Sequence, residues 1–124
     1  MGSVLIVDDD EALRTIVAEF LTRQGFECTQ AGNVAQACTH LKEKEFELAI
    51  SDFNMPRETG LDLLRYVASN FPAMQFIMMS GQPGMELKRQ ALALGALAYV
   101  PKPFRLQELL KEVESGLDRK VCCH

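Results

Sequence analysis

Short apolar runs alternate five times along the chain with stripes of apolar residues at helical spacing. The runs predict five strands, at residues 4–7, 27–31, 48–51, 74–79 and 98–100. The run at 4–7 is apolar throughout, which is typical of a strand buried on both faces of a parallel sheet. The run at 27–31 is less apolar, so we expect that strand nearer an edge of the sheet.

Between the runs, apolar residues recur at spacings of three and four, which predicts five amphipathic helices. The predicted inward stripes are Ala12, Leu13, Ile16, Val17, Phe20 and Leu21; Val34, Ala37, Cys38 and Leu41; Leu61, Leu64, Val67 and Ala68; Leu87, Ala91 and Leu94; and Leu106, Leu109, Leu110, Val113 and Leu117. Asn33, three residues before Gln36, has the spacing of an N-terminal cap. Thr59 stands in the same relation to Asp62, and Gly25 can close the first helix.

Strict alternation of strands and helices predicts the fold class. Right-handed crossovers place helices on both faces of a parallel sheet, so we expect a doubly wound five-stranded α/β fold. The chain has 124 residues, enough for one domain with its own core but too few for a second domain beside five such repeats. We therefore expect a single domain over residues 1–124.

Charge and composition exclude several classes of protein. The net charge is −4 and no basic stripe is present, which argues against direct nucleic acid binding by this segment. No apolar run approaches the roughly 20 residues that span a bilayer, so we expect no membrane insertion. No secretory signal is found and the four cysteines form no spaced framework, so a reducing cytoplasm fits best. For Cys122-Cys123-His124, a frayed terminus is favoured over a soft-metal site.

Polar residues follow four of the five predicted strands. Asp8-Asp9-Asp10 comes after the first strand, Asp52 after the third, Ser80 after the fourth, and the fifth leads to Lys102. Ligands of open α/β sheets bind beyond the carboxyl ends of the strands, so these side chains are expected to share one pocket.

An acidic pocket of this kind calls for a cation. Like charges ~4 Å apart repel by about 4 kcal/mol at an effective dielectric constant near 20. Hard oxygen ligands favour Mg²⁺ over zinc, which prefers His or Cys, and His40 lies inside the second predicted helix.

Each residue taken alone also has an ordinary structural interpretation. The acids from Asp8 to Glu11 could serve the N-terminal dipole of the first helix, and Asp10 is expected to cap it. Asp52 could belong to a polar turn, Ser80 to a loop, and Lys102 to the solvated surface. Their joint placement after four strands favours a functional site.

In these residues the sequence resembles the receiver domains of two-component response regulators. The matching segments are Val4-Leu5-Ile6-Val7-Asp8-Asp9, Ile50-Ser51-Asp52-Phe53-Asn54-Met55-Pro56, Met79-Ser80-Gly81 and Tyr99-Val100-Pro101-Lys102-Pro103-Phe104. The resemblance covers essentially the whole chain and implies a flavodoxin-like sheet with strand order 2-1-3-4-5.

The resemblance also implies a metal site and a phosphoacceptor. Asp52 would accept the phosphoryl group. Asp9, the Asp52 carboxylate and the main-chain carbonyl of Asn54 would hold Mg²⁺, with Asp8 acting mainly through water. Asn54 and Gln82 would modulate how water reaches the acyl phosphate.

Further roles follow from the same resemblance. Lys102, before a cis bond to Pro103, and Ser80 would share the phosphoryl oxygens with the metal. Ser80 and Tyr99 would form the switch that alters the surface of the fourth helix, fifth strand and fifth helix. The implied partners are a sensor histidine kinase or phosphotransfer protein and an output domain or partner protein; a phosphorylation-dependent homodimer is a further alternative.

Two rival functions can be compared with this one. A phosphatase with an aspartyl nucleophile would carry a second Asp two residues later, where this chain has Asn54, so only self-phosphorylation and self-dephosphorylation are expected. A phosphorylation-independent scaffold would be favoured if Asp52, Lys102 or the acidic pair were lost, and all are present.

Overall fold

The computed structural model describes residues 2–81 and 84–122, and in this part of the chain five strands alternate with five helices. Their bounds are β1 Ser3–Val7, α1 Glu11–Arg23, β2 Glu27–Ala31, α2 Val34–Glu43, β3 Leu48–Asp52, α3 Gly60–Asn70, β4 Gln75–Ser80, α4 Met85–Ala93, β5 Ala98–Pro101 and α5 Leu106–Cys122. In the same residues, no helix has the length and apolar character needed to cross a bilayer.

The strands form one parallel sheet in the order β2-β1-β3-β4-β5. The predicted doubly wound α/β fold and its strand order are therefore confirmed, and β2 is an edge strand as expected. In the register, Leu5 lies opposite Thr29 on one side and Ala49 on the other, which centres β1 between β2 and β3.

Two hydrophobic layers sandwich the sheet, because alternate strand side chains point to opposite faces. Leu5, Ala49 and Phe76 pack with α2, α3 and α4 on one face. Ile6 and Ile50, on the opposite face, pack with α1 and α5. Burial on both faces explains why the central strands carry continuous apolar runs rather than apolar residues at every second position.

At several positions the buried residues of the helices differ from the predicted stripes. Ala12 and Ala68 are exposed, and the side chain of Ile16 is 50% exposed. Leu63, outside the predicted stripe of α3, is fully buried instead. The helical period sets the spacing of a stripe but not how far round the helix its neighbours extend, so these predictions were wrong.

The predicted caps are present. The Asn33 side chain accepts a hydrogen bond from the Gln36 N–H at 2.8 Å, and Thr59 forms a capping box with Asp62. Gly25 has a φ of 99°, as a residue closing α1 requires.

Three strands extend one residue beyond their predicted ends. β3 includes Asp52, β4 runs on to Ser80 and β5 to Pro101, because parallel pairing continues to the Ser80–Pro101 register. Two of the chemically important residues are thereby held by the sheet itself. The interpretations of Gln82 and of Cys122-Cys123-His124 concern side chains outside the described part of the chain.

Candidate functional site: an acidic cluster at the carboxyl edge

Three carboxylates meet where β1 and β3 end. One oxygen each from Asp8, Asp9 and Asp52 lies within 4.8 Å of the others. Asp8 is fully buried and Asp52 is 5% exposed, whereas Asp9 is exposed. Adjacent parallel strands end at the same edge, so the sheet order brings the two chain segments together, and the cluster opens to solvent on the side of Asp9.

Both carboxylate oxygens of Asp8 accept hydrogen bonds. Its Oδ1 accepts a hydrogen bond from the Asp10 N–H at 2.9 Å, and its Oδ2 accepts one from Lys102 Nζ at 3.1 Å. The main-chain N–H of Asp8 donates to the Ala31 carbonyl at 3.1 Å, which anchors the turn to β2. Asp10 itself is the N-cap of α1, the role expected for it.

Lys102 enters the cluster from the end of β5. Its Nζ lies 3.2 Å from Asp52 Oδ1, in addition to its contact with Asp8. The Lys102 N–H donates to the Ser80 carbonyl at 2.7 Å, and the Lys102–Pro103 peptide is cis, as the resemblance implies. The cluster therefore combines three carboxylates with one ammonium group, a formal charge of −2.

Within the cluster, the pKa values of two groups, Asp52 and Lys102, depart from their ordinary values. Burial raises the pKa of Asp52, and the negative charges of Asp8 and Asp9 add to this, against the opposing effect of Lys102. Burial disfavours the charged form of Lys102, but the hydrogen bond to Asp8 and the charge of Asp52 outweigh it and raise the Lys102 pKa. Lys102 thus stays protonated, whereas the charge on Asp52 is unfavourable.

A seven-residue connection from Phe53 to Thr59 closes the site on the α3 side. The Phe53 N–H donates to the Met79 carbonyl at 2.8 Å, and the Gly60 N–H donates to the Phe53 carbonyl at 2.9 Å. These bonds pin both ends of the loop that carries the exposed Asn54. Asn54 follows Asp52 by two residues, and the loop that carries it is anchored at both ends.

The family of the chain follows from a comparison with known sequence families. A family model for the response regulator receiver domain matches residues 4–114. The chain belongs to this family.

Relatives and solved structures agree with this assignment. The chain is 36% identical to the "DNA-binding transcriptional regulator NtrC" of Azospirillum brasilense over 94% of its own length and 24% of the relative's. The corresponding protein of Escherichia coli is 32% identical, with 94% of this chain and 25% of the relative covered. The receiver thus spans about a quarter of the length of these curated relatives.

Two solved structures are informative. A CheY-like receiver domain from Methanospirillum hungatei superposes with a TM-score of 0.95 at 29% identity, covering 100% of this chain and 99% of that one. The response regulator TrrA from Thermotoga maritima, solved in complex with Mg²⁺ and BeF, has a TM-score of 0.84 at 26% identity, with 94% and 99% covered.

Ser80 and Tyr99, which the resemblance implies as a switch, lie on neighbouring strands. Ser80 ends β4 and is fully buried, and Tyr99 of β5 is half-buried against the hydrophobic layer that contains α4. Tyr99 also lines a cleft of about 280 Å³ together with Pro103, Phe104 and Glu108. Both residues lie in the part of the sheet that packs next to α4.

A cavity of about 430 Å³ lies away from the acidic cluster, between the α2–β3 and α3–β4 connections, and Phe46, Phe71 and Met74 are among its lining residues. These connections lead into the amino ends of β3 and β4. In a parallel sheet the chemistry is expected at the opposite edge, so this cavity is not the candidate site.

Two residues that contact the main chain next to the acidic cluster, Arg14 and Gly60, were not predicted from the sequence. Arg14 Nη1 donates to the main-chain carbonyl of Asp8 at 2.8 Å. A Cβ atom added to Gly60 would lie 2.5 Å from the Asp52 carbonyl oxygen. The sequence signals were an arginine shortly after an acidic turn and a glycine directly after a helix cap. Neither signal indicates which distant residue is contacted.

Proposed function

We propose that this receiver accepts a phosphoryl group on the Asp52 carboxylate in a Mg²⁺-dependent reaction, with a sensor histidine kinase or phosphotransfer protein as donor. The observation that carries the proposal is the approach of Asp8, Asp9 and Asp52 oxygens within 4.8 Å, with Lys102 Nζ 3.2 Å from Asp52. Membership of the receiver family supports the choice of reaction.

The donor set fits a hard divalent cation. A formal charge of −2 from three carboxylates and one ammonium matches Mg²⁺, and every candidate ligand atom is an oxygen. We assign the metal to Asp9, Asp52 and the main-chain carbonyl of Asn54. Both carboxylate oxygens of Asp8 already accept hydrogen bonds from the protein, which suits a role through water. TrrA was solved with Mg²⁺ and BeF, which supports this assignment.

Asp52, Lys102 and Ser80 have separate roles in phosphoryl transfer. An Asp52 oxygen attacks phosphorus, the bond from phosphorus to the donor imidazole nitrogen breaks, and the electron pair leaves with that nitrogen. The transition state spreads charge over three phosphoryl oxygens, so fixed positive charge nearby lowers the barrier. Lys102 would supply part of that charge and the Ser80 hydroxyl a hydrogen bond. Mg²⁺ held by Asp9, Asp52 and the Asn54 carbonyl would supply further positive charge.

Asn54 argues against a hydrolase. An aspartyl phosphatase needs a general acid near its nucleophile, and an amide cannot donate and recover a proton in this way. We therefore limit the chain's own chemistry to self-phosphorylation and self-dephosphorylation, with Asn54 and Gln82 influencing how water reaches the acyl phosphate.

We assign the output surface to α4, β5 and α5. The phosphoryl group would draw the Ser80 hydroxyl toward Asp52, and Tyr99 would move into the space released beside α4. α4 fully buries only Ala91 and exposes Met85 by 69% and Leu92 by 41%, so shifting it sacrifices little packing. An output domain or partner protein would dock there; a second receiver is the alternative.

The setting we propose is the cytoplasm. Cys28 and Cys38 are free thiols, which suits a reducing compartment. The NtrC relatives are described as DNA-binding regulators, and the receiver matches only about a quarter of their length. We therefore assign no DNA contact to this acidic segment.

Intact-mass measurement tests the function directly. With Mg²⁺ and acetyl phosphate, the protein should gain the mass of one phosphoryl group, and chelation of Mg²⁺ should prevent this. Asp52→Asn should abolish the gain, whereas Asp10→Asn should keep it because Asn caps a helix as well as Asp does. Full phosphorylation of Asp52→Asn would refute the assignment.

A further inference from the structure

Arg14 joins the acidic turn to the edge strand. From the first turns of α1, its Nη1 donates to the Asp8 carbonyl at 2.8 Å and its Nε donates to Gln30 Oε1 on β2 at 3.0 Å. A Cβ atom at Gly32 would lie 3.3 Å from Nη1, so the glycine leaves room for the guanidinium. The rigid fork of an arginine can hold two acceptors at once.

The hydrogen bond from Arg14 to the Asp8 carbonyl also constrains the main chain of Asp9. That carbonyl belongs to the planar peptide unit linking Asp8 to Asp9, so fixing its direction also fixes the N–H and Cα of Asp9. Asp8 is already anchored through its side chain and its own N–H, whereas Asp9 is exposed. The arginine therefore acts on the least buried of the three carboxylates.

We propose that Arg14 is a positioning residue that orients the Asp8–Asp9 peptide and thereby strengthens divalent cation binding. The inference rests on the metal site of the proposed function and adds a residue to it. Residues that orient metal ligands without touching the metal commonly contribute about tenfold or more to affinity.

The positive charge of Arg14, taken alone, would weaken cation binding rather than strengthen it. A guanidinium near the cluster repels Mg²⁺, so its removal should tighten binding if charge were its only influence. If orientation dominates, removal should weaken binding. The direction of the change therefore separates the two explanations.

Calorimetric titration of the metal-free protein with Mg²⁺ measures this. Arg14→Gln should raise the Mg²⁺ Kd about tenfold. Arg14→Lys keeps the positive charge but lacks the forked guanidinium, so we expect it to raise the Mg²⁺ Kd about threefold. Gln30→Ala keeps Arg14 and changes only an exposed side chain, and it should weaken binding about threefold because one arm of the fork is lost.

Arg23→Gln is the matched control. Arg23 lies in the last turn of the same helix, so this change removes one positive charge at the end of α1 remote from the cluster and should leave the Mg²⁺ Kd unchanged. In the metal-free state, NMR should show shifted Asp9 and Asp10 amide signals in Arg14→Gln and unshifted ones in Arg23→Gln. This readout does not depend on phosphorylation.

The outcomes separate the inference from the function on which it rests. Equal or tighter Mg²⁺ binding by Arg14→Gln would overturn the positioning role, even if Asp52 is phosphorylated normally. Should Arg14→Gln fail to fold, as judged by circular dichroism, unchanged binding by Gln30→Ala would overturn it. A wild type that binds no Mg²⁺ would refute both the inference and the metal site. Mg²⁺ binding without phosphorylation would refute the function alone.

Discussion

Lys102 Nζ lies 3.1 Å from Asp8 Oδ2, although the two residues are 94 positions apart in the sequence. β5 and β1 are not neighbours in the sheet, since β3 and β4 lie between them. The long lysine side chain therefore reaches across the carboxyl edge and contacts Asp52 of β3 on its way. It is the counter-charge for two buried carboxylates at once.

Replacing Lys102 should destabilise the metal-free protein and favour cation binding. Lys102→Met leaves Asp8 and Asp52 without their ammonium partner, and because the lysine side chain is 21% exposed we expect a loss of about 2 kcal/mol, below the range for a fully buried pair. Mg²⁺ should stabilise this variant more than the wild type. Urea unfolding with and without Mg²⁺ measures both effects.

Exposed Lys111 on α5 provides the control for this lysine. Lys111→Met should change the free energy of unfolding by less than about 0.5 kcal/mol, as usual for surface substitutions. If Lys102→Met were as stable as Lys111→Met without metal, the ion pairs would contribute nothing to folding.

Asp52→Asn should stabilise the metal-free protein at neutral pH by about 1 kcal/mol, or about 4 °C in Tm. The pKa of Asp52 is raised in the folded state, so the folded protein binds its proton more tightly than the unfolded chain does. The favourable contribution of this group is complete below the ordinary pKa of 3.8 and is lost as pH rises through the folded pKa. The advantage of Asn should therefore appear only above about pH 4.

Thermal unfolding in chelator-containing buffer from pH 4 to 7.5 tests this dependence. Mg²⁺ at about 100 times its Kd should stabilise the wild type by about 2.7 kcal/mol. The wild type should then be more stable than Asp52→Asn. Asp10→Asn should behave as the wild type at every pH, since the cap is retained. An Asp52→Asn advantage independent of pH would contradict the electrostatic explanation.

Gly60→Ala should destabilise the fold and disturb the loop that carries Asn54. A Cβ atom there would lie 2.5 Å from the Asp52 carbonyl oxygen and 2.8 Å from Met78 Sδ. The backbone cannot yield as a flexible side chain could, so we expect a loss of about 2 kcal/mol by urea unfolding. Gly81→Ala is the control, because among the described residues its Cβ would meet only Lys102 Cβ, at 4.0 Å. Equal stability of the two variants would argue against a close contact between residue 60 and the Asp52 carbonyl.

The Ser80–Tyr99 switch predicts a specific pattern of NMR shifts. Beryllofluoride with Mg²⁺ should shift signals at Asp52, Ser80, Tyr99 and α4, because a phosphoryl mimic binds the two switch states with different affinity. Ser80→Ala should retain the shifts around Asp52 and lose those at Tyr99. Shifts confined to the Asp52 pocket of the wild type would disprove the switch.

The local features of the fold could be predicted because they depend on neighbours in sequence. A cap needs a side chain and an N–H three residues apart, which is why the Asn33 and Thr59 caps were correct. The exposure of Ile16 and the burial of Leu63 were not predictable in this way. They depend on how the helices lie on the sheet, and the apolar period is compatible with more than one rotation.

The class of fold and the residues that reach the carboxyl edge could be predicted from the sequence alone. Apolar runs that end in Asp8, Asp52 and Ser80 carry this information, because alternating strands and helices build a parallel sheet whose strands end together. The contacts that hold the site in place became visible only in the folded structure. The bond from Arg14 to the Asp8 carbonyl and the close approach of Gly60 to Asp52 join main-chain atoms to distant residues. Main-chain atoms are the same at every position, so their partners are set by packing and leave no pattern along the chain.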